Sequence, residues 1–168
     1  QGLAAREQID EIKEYLHTVQ SDIDAITPLR FCENETVNLI LSSFAAKAKQ
    51  SKIQLKVDAK LPESLPFSDT ELCSILSNAL ENAIQACERI EDRDLRIIHM
   101  RAYSKNNKLC INLSNNYKAE PIFERGHPVT KEKEHGVGTK SMVHIVEKYN
   151  GIYQFIAKDG VFVFQAIM

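Results

Sequence analysis

The sequence predicts an α+β protein, a two-layer α/β sandwich preceded by a bundle-type helix. Three observations carry that prediction. Ser68 to Ile90 reads as one long amphipathic helix with a marked start. Short strands alternate near Leu95–Leu113 and Ile152–Ile167, each pair joined by a polar turn. Helices alternate with these strand pairs, so they would share one face of a mixed, mostly antiparallel sheet.

A chain of 168 residues accommodates one domain with a helical extension. Hydrophobic residues at 43% and charged residues at 26% are ordinary for a globular protein. The net charge of −2 offers no basic surface, which excludes nucleic acid as the expected partner. No run approaches the ~18 apolar residues of a membrane span, and no signal peptide is visible. The chain opens on Gln1 rather than Met, so any membrane attachment would come through an absent N-terminal region. Cys32, Cys73, Cys87 and Cys110 form no CxxC pair and read as thiols in a reducing cytosol.

In chain order, Arg6 to Ile26 comes first. Ile9, Ile12, Leu16, Val19, Ile23 and Ile26 recur at alternating three- and four-residue steps, the seam of a coiled coil or helical bundle. Such a narrow seam needs a partner helix, and Pro28 ends the run. His17 sits beside the seam and reads as a surface or boundary histidine. Asn34 to Ser51 is a second helix, with Val37, Ile40, Leu41, Phe44, Ala45 and Ala48 inward. A strand follows at Ile53–Val57, then an extended connector, Leu61 to Pro66.

Ser68 and Glu71 form a capping box that starts the central helix. Its apolar face is Leu72, Ile75, Leu76, Ala79, Leu80, Ala83 and Ile84. Its polar residues form a single stripe: Glu71, Ser74, Asn78, Asn82, Gln85 and Arg89. Strands at Leu95–Tyr103 and Lys108–Leu113 follow, turning at Ser104 to Asn107. Tyr117 to His135 has no sustained periodicity and reads as a lid without regular structure. A Gly136-Val137-Gly138 turn opens a helix from Thr139 to Tyr149, closed by Asn150-Gly151. The last hairpin, Ile152–Ala157 and Val161–Ile167, turns at Asp159-Gly160.

Three features carry chemistry. Asn78 and Asn82 put two neutral amide oxygens one helical turn apart. They suit Mg²⁺, which takes one or two protein oxygens beside water and phosphate, or they cap a neighbouring loop. Gly136 and Gly138 allow close backbone approach at a helix N-terminus, which favours phosphate, though such a turn is also a common structural device. Lys131 and Lys133 precede that turn, either as solvated lid residues or as groups that close over a triphosphate.

Together these residues resemble the nucleotide-binding domain of the GHKL superfamily, the Bergerat fold of gyrase, Hsp90, MutL and the histidine kinases. The sequence is most similar to the agr-type, peptide-sensing receptor histidine kinases of Gram-positive bacteria. The matching segments are Phe31-Cys32-Glu33-Asn34, Ser68 to Cys73, Leu80-Glu81-Asn82-Ala83, Phe123-Glu124 with Thr130-Lys131, and His135-Gly136-Val137-Gly138 with Ile145-Val146. The resemblance implies that Asn82 ligates Mg²⁺ and that Asn78 supports it or contacts phosphate. It implies phosphate-facing backbone at Gly136 and Gly138, with Thr139 in the first turn of the glycine-box helix. Asn115 stands where most of the superfamily has an Asp that accepts the adenine amino group. An amide oxygen still accepts that bond, more weakly. Asn78 stands where GHKL ATPases carry a general-base Glu, and an amide cannot take a proton.

The resemblance therefore implies residues 1–30 as the second helix of a dimerisation and phosphoacceptor hairpin, and residues 31–168 as a catalytic domain binding ATP and Mg²⁺. It implies a protein-histidine kinase that acts on a histidine upstream of Gln1. Its partners would be a response regulator and a second copy of the chain, in the cytoplasmic part of a membrane receptor. The alternatives are a non-catalytic nucleotide-gated dimerisation module and, less favoured by Asn78, a GHKL-type ATPase.

Overall fold

The computed structural model describes residues 29–129 and 137–168. The expected Arg6–Ile26 helix lies outside these residues, as do Lys131, Lys133 and Gly136.

Helix α1 spans Glu35–Gln50. Asn34 caps it: Oδ1 accepts from the Val37 N–H at 2.9 Å, and Nδ2 donates to the Glu63 carbonyl at 2.9 Å. One buried amide thus starts a helix and ties down the connector that leads to the next. Strand β1, Gln54–Lys60, runs later and longer than the sequence suggests. Helix α2, Asp69–Glu88, begins at the Ser68 cap. Its expected apolar face is buried in full, from Leu72 through Ile84. Each large aliphatic side chain so buried contributes about 1.5–3 kcal/mol.

Strands β2, Ile97–Lys105, and β3, Lys108–Asn116, form a hairpin whose turn residues Asn106 and Asn107 have φ of 53° and 58°. Leu95, expected in β2, instead closes a short 3₁₀ turn at Arg93–Leu95 that Asp92 caps. β3 runs to Asn116 rather than Leu113 because β7 pairs with it that far.

The lid expectation needs correcting. Within it, β4 (Ile122–Glu124) and β5 (His127–Val129) make a two-stranded hairpin. Three-residue strands are too short for periodicity to register. Their turn is set by Arg125 and Gly126, with φ of 50° and 81°, a primed turn without the usual Asn-Gly signature.

Helix α3 spans Val137–Lys148. It starts before Thr139, so Gly138 lies in its first turn rather than in a preceding loop. Asn150, with φ of 51°, takes the left-handed position after the helix. Gly151 serves close packing instead: a Cβ there would stand 2.5 Å from the Ile167 carbonyl oxygen. Strands β6, Ile152–Lys158, and β7, Val161–Ile167, turn at Asp159-Gly160 as expected.

The main sheet has the order β1-β2-β3-β7-β6. β1 and β2 are parallel, and every other pair is antiparallel. The α2 crossover explains the parallel pair, which a tight turn cannot join. α2 packs between α1 and α3 and over β2 and β3, so it is the spine of the helical layer. Arg96 closes the far end of that layer. Its guanidinium donates to the carbonyls of Ser51 (2.9 Å), Ile90 (2.9 Å) and Glu88 (3.3 Å), satisfying the ends of α1 and α2 at once.

Candidate functional site

The polar stripe of α2 divides into two halves with different surroundings. Its N-terminal half faces α3. Glu71 accepts from Lys148 Nζ at 2.5 Å, Tyr149 Oη at 2.5 Å and Ser68 Oγ at 2.7 Å. Those three bonds, Lys148 first, hold its carboxyl down to about 2 from the usual 4.5. The carboxylate reaches these side chains where a capping box would return it to the Ser68 N–H; only the Ser68 Oγ half of the box is seen, accepting from the Glu71 N–H at 3.3 Å. Ser74 Oγ meets Ser141 Oγ at 3.0 Å.

Asn78 completes this seam. Its Nδ2 donates to the Ser74 carbonyl at 2.8 Å, which leaves Oδ1 against the first turn of α3. A Cβ on Gly138 would lie 2.7 Å from that oxygen. Gly138 is therefore required by the approach of Asn78. Two residues singled out separately in the sequence are one contact.

The C-terminal half of the stripe opens onto a cavity of about 450 Å³ between the helices and the sheet. That volume lies within the range of small-molecule sites. Asn82 lines it from α2, flanked at helical spacing by the small side chains Ala79 and Ala86 that make room. Asn82 is half-buried and has no side-chain hydrogen bond among the described residues. Thr139 and Met142 enter from α3, both buried. Leu113 and Asn115 enter from β3, on the face of the sheet that carries the core. Asn115 is 3% exposed.

The far wall is aromatic. Phe155 stacks on Phe164 at 5.1 Å and on Phe162 at 6.1 Å, and Phe162 stacks on Phe123 of the hairpin at 6.4 Å. His127 lies 5.8 Å from the Tyr153 ring. These contacts seat the β4–β5 hairpin over the cavity, where Ile122, Pro128 and Val129 complete the lining.

The structure thus brings Asn82, Asn115 and Thr139 to one cavity, and sets Asn78 with Gly138 at the adjoining helix seam. Lys131, Lys133 and Gly136 lie outside the described residues. The aromatic wall escapes a sequence reading. Alternation in Val161–Ile167 shows that Phe162 and Phe164 share a face, but not what that face meets. Gln85 and Arg89 line the cavity as continuations of the stripe.

The residues present fit a nucleotide with its metal. Buried Asn115 supplies a polar anchor on an otherwise apolar floor. Asn82 supplies a neutral oxygen of the kind Mg²⁺ accepts beside phosphate and water. The first turn of α3 presents backbone N–H groups that no intrahelical carbonyl reaches, at the positive end of its dipole.

The sequence pattern of the GHKL domain matches residues 68–168, more than half of the chain. The chain belongs to the GHKL family. Its fold is that of histidine kinase catalytic domains. The catalytic domain of the histidine kinase ThkA, in a nucleotide-free form, superposes with a TM-score of 0.60 at 17% identity, over 80% of this chain and 89% of that one. The mycobacterial sensor histidine kinase MprB gives 0.58 at 14% identity, over 80% and 93%. The Acinetobacter baumannii histidine kinase AdeS gives 0.54 at 13%, over 79% and 62%. No curated protein matches the chain.

Proposed function

We propose that this chain is the ATP-binding catalytic domain of a sensor histidine kinase of the agr-type, peptide-sensing group. In this reading residues 1–30 are the second helix of a dimerisation hairpin, and the phosphoacceptor histidine lies upstream of Gln1. The observation that carries the reading is the convergence of Asn82, Asn115 and Thr139 from three separate elements on one apolar cavity of a GHKL domain.

Each group has a role suited to its chemistry. The apolar walls and the Phe155–Phe162–Phe164 stack hold a flat base, and Asn115 fixes its edge. Asn82 ligates Mg²⁺, which when bound neutralises charge on the phosphates. Gly138, Thr139 and, with them, Gly136 offer backbone N–H groups to the phosphate chain. Lys131 and Lys133 close over the triphosphate. Asn78 holds α3 in place against α2 and, as an amide, does not activate water. Catalysis of phosphoryl transfer is chiefly positioning and charge neutralisation, so this set needs no protein nucleophile. The receiving histidine belongs to a partner helix, the chain works as a homodimer, and a response regulator takes the phosphoryl group onward. Membrane attachment would belong to a region upstream.

Calorimetry with a non-hydrolysable ATP analogue, with and without Mg²⁺, tests the site. Asn82→Ala is expected to remove the Mg²⁺ dependence and to weaken binding by about tenfold or more. Unchanged Mg²⁺ dependence would remove Asn82 from the metal. Restoring the upstream helix and adding ATP is expected to yield an acid-labile phosphohistidine. Nucleotide binding without phosphotransfer in that longer chain would instead support the non-catalytic module, a reading that the uncharged Asn115 favours. Steady ATP turnover would point to the ATPase reading.

A further inference from the structure

The helical layer covers one face of the main sheet, and the other face carries the exposed positions of the alternating strands. The overall charge of −2 averages over a strongly basic outer face. Its cations are Lys56, Lys60, Arg101, Lys105, Lys108 and Lys158, all exposed, against a single carboxylate, Asp58. Asp58 lies 3.4 Å from Arg101 and 3.9 Å from Lys60, so the remaining lysines have no carboxylate partner among the described residues. Lys105 and Lys108 stand directly opposite each other in the β2–β3 register, an arrangement that destabilises an isolated hairpin. In the next outward row, Lys60, Tyr103, Cys110, Ile167 and Ile152 cross every strand in a line. That row is basic at its β1 end and apolar at its β6 end, where Ile152 is 68% exposed and Ile167 and nearby Ile156 are exposed too. Between Lys60, Arg101, Tyr103 and Lys105 lies a hollow of about 270 Å³.

We propose that this outer face docks on an anionic phospholipid surface, with Lys60, Arg101, Lys105 and Lys108 at the headgroups and Ile152 and Ile167 below them. Basic side chains gain from the negative potential of such a surface, and exposed aliphatic and tyrosine side chains settle at its boundary. Nucleic acid would match the cations and leave the isoleucines in water. An acidic protein would need an apolar strip placed beside its carboxylates, whereas a lipid leaflet offers both everywhere. The path of the chain supports the same partner. The Glu33 N–H donates to the Leu61 carbonyl at 3.2 Å, so the chain enters the domain beside the end of β1, next to Lys60. In the function proposed above, residues 1–30 are the second arm of a hairpin. Its first arm descends from the membrane, and an antiparallel second arm returns toward it, bringing this end of the sheet to the leaflet. The docking face rests on that reading for a membrane being near, and adds which surface meets it. Leu113, Asn115, Phe155, Phe162 and Phe164 line the cavity from the opposite face of the sheet, so docking leaves the nucleotide site open.

Sedimentation of the whole chain with vesicles tests the docking face, beside calorimetry with the ATP analogue. The chain is expected to pellet with mixed phosphatidylglycerol and phosphatidylcholine vesicles, to be released as salt rises, and to stay in solution with phosphatidylcholine alone. Lys105→Gln/Lys108→Gln is expected to weaken vesicle binding by about tenfold or more and to leave analogue binding unchanged. Lys47→Gln/Lys49→Gln makes the same change in net charge on α1 and is expected to bind the vesicles as wild type does. A wild-type chain that stays in solution with phosphatidylglycerol present would overturn the docking face and leave the nucleotide site standing, as when an acidic protein or the upstream segment is its partner. Equal losses in the two lysine pairs would also overturn it, by assigning the binding to overall charge. Vesicle binding that depends on Lys105 and Lys108, in a chain that does not take the analogue, would strike the nucleotide reading and uphold the face.

Discussion

At the scale of single residues, the contact between Asn78 and Gly138 makes the sharpest prediction. Adding one methyl in Gly138→Ala places a Cβ 2.7 Å from Asn78 Oδ1. Asn78 cannot simply turn away, because its Nδ2 is held by the Ser74 carbonyl. Either α3 shifts or that bond breaks, and such overpacking typically costs about 1–3 kcal/mol. The same substitution made in an Asn78→Ala background is expected to be nearly neutral, so a denaturation double-mutant cycle should show strong coupling. Additive effects would mean that the glycine is there for another reason. The sequence exposed both residues as oddities, a poor helix former mid-helix and a glycine before one. It could not show that each accounts for the other, because they lie about sixty positions apart in the chain.

At the scale of elements, two clasps hold the helical layer, and both are open to test. The first is Glu71 with Lys148 and Tyr149, joining α2 to α3. Glu71 titrates near 2 in the folded chain against 4.5 ordinarily. Its contribution is therefore present above about pH 4.5 and fades as pH falls toward 2. Glu71→Gln is expected to lower the melting temperature at neutral pH and to converge with wild type in acid. A gap independent of pH would show that the charge is irrelevant. The second clasp is Arg96, which serves the C-terminal carbonyls of α1 and α2. Arg96→Met is expected to destabilise by about 2–3 kcal/mol in urea melts, since those carbonyls lose a charged donor. The helices themselves were legible, down to the Asn34 and Ser68 starts, because capping and periodicity are local. The β4–β5 hairpin was not legible: its strands are three residues each, and ring contacts with Phe162 and Tyr153 seat it against the sheet.

At the scale of the whole molecule, a ligand that bridges α2, β3 and α3 should stabilise all of them together. Mg·ATP at 100 times its dissociation constant is expected to add about 2.7 kcal/mol and to raise the melting temperature with log concentration. Thermal shifts that do not grow with concentration would count against a site built from these elements. By itself the sequence determined the fold class, the apolar face of α2, the starts of α1 and α2 and the turns at Asn150 and Asp159. Each follows from side-chain periodicity or backbone preference within a few neighbouring residues. It also offered a candidate site of three amides, two glycines, Thr139 and the lysines Lys131 and Lys133. Tertiary structure alone decided how that set is divided. Asn82, Asn115 and Thr139 share a cavity with a wall of phenylalanines, while Asn78 is spent on the seam with Gly138. It also decided which way the Asn115 amide points, because the atom that orients it is a backbone carbonyl, and every residue has one.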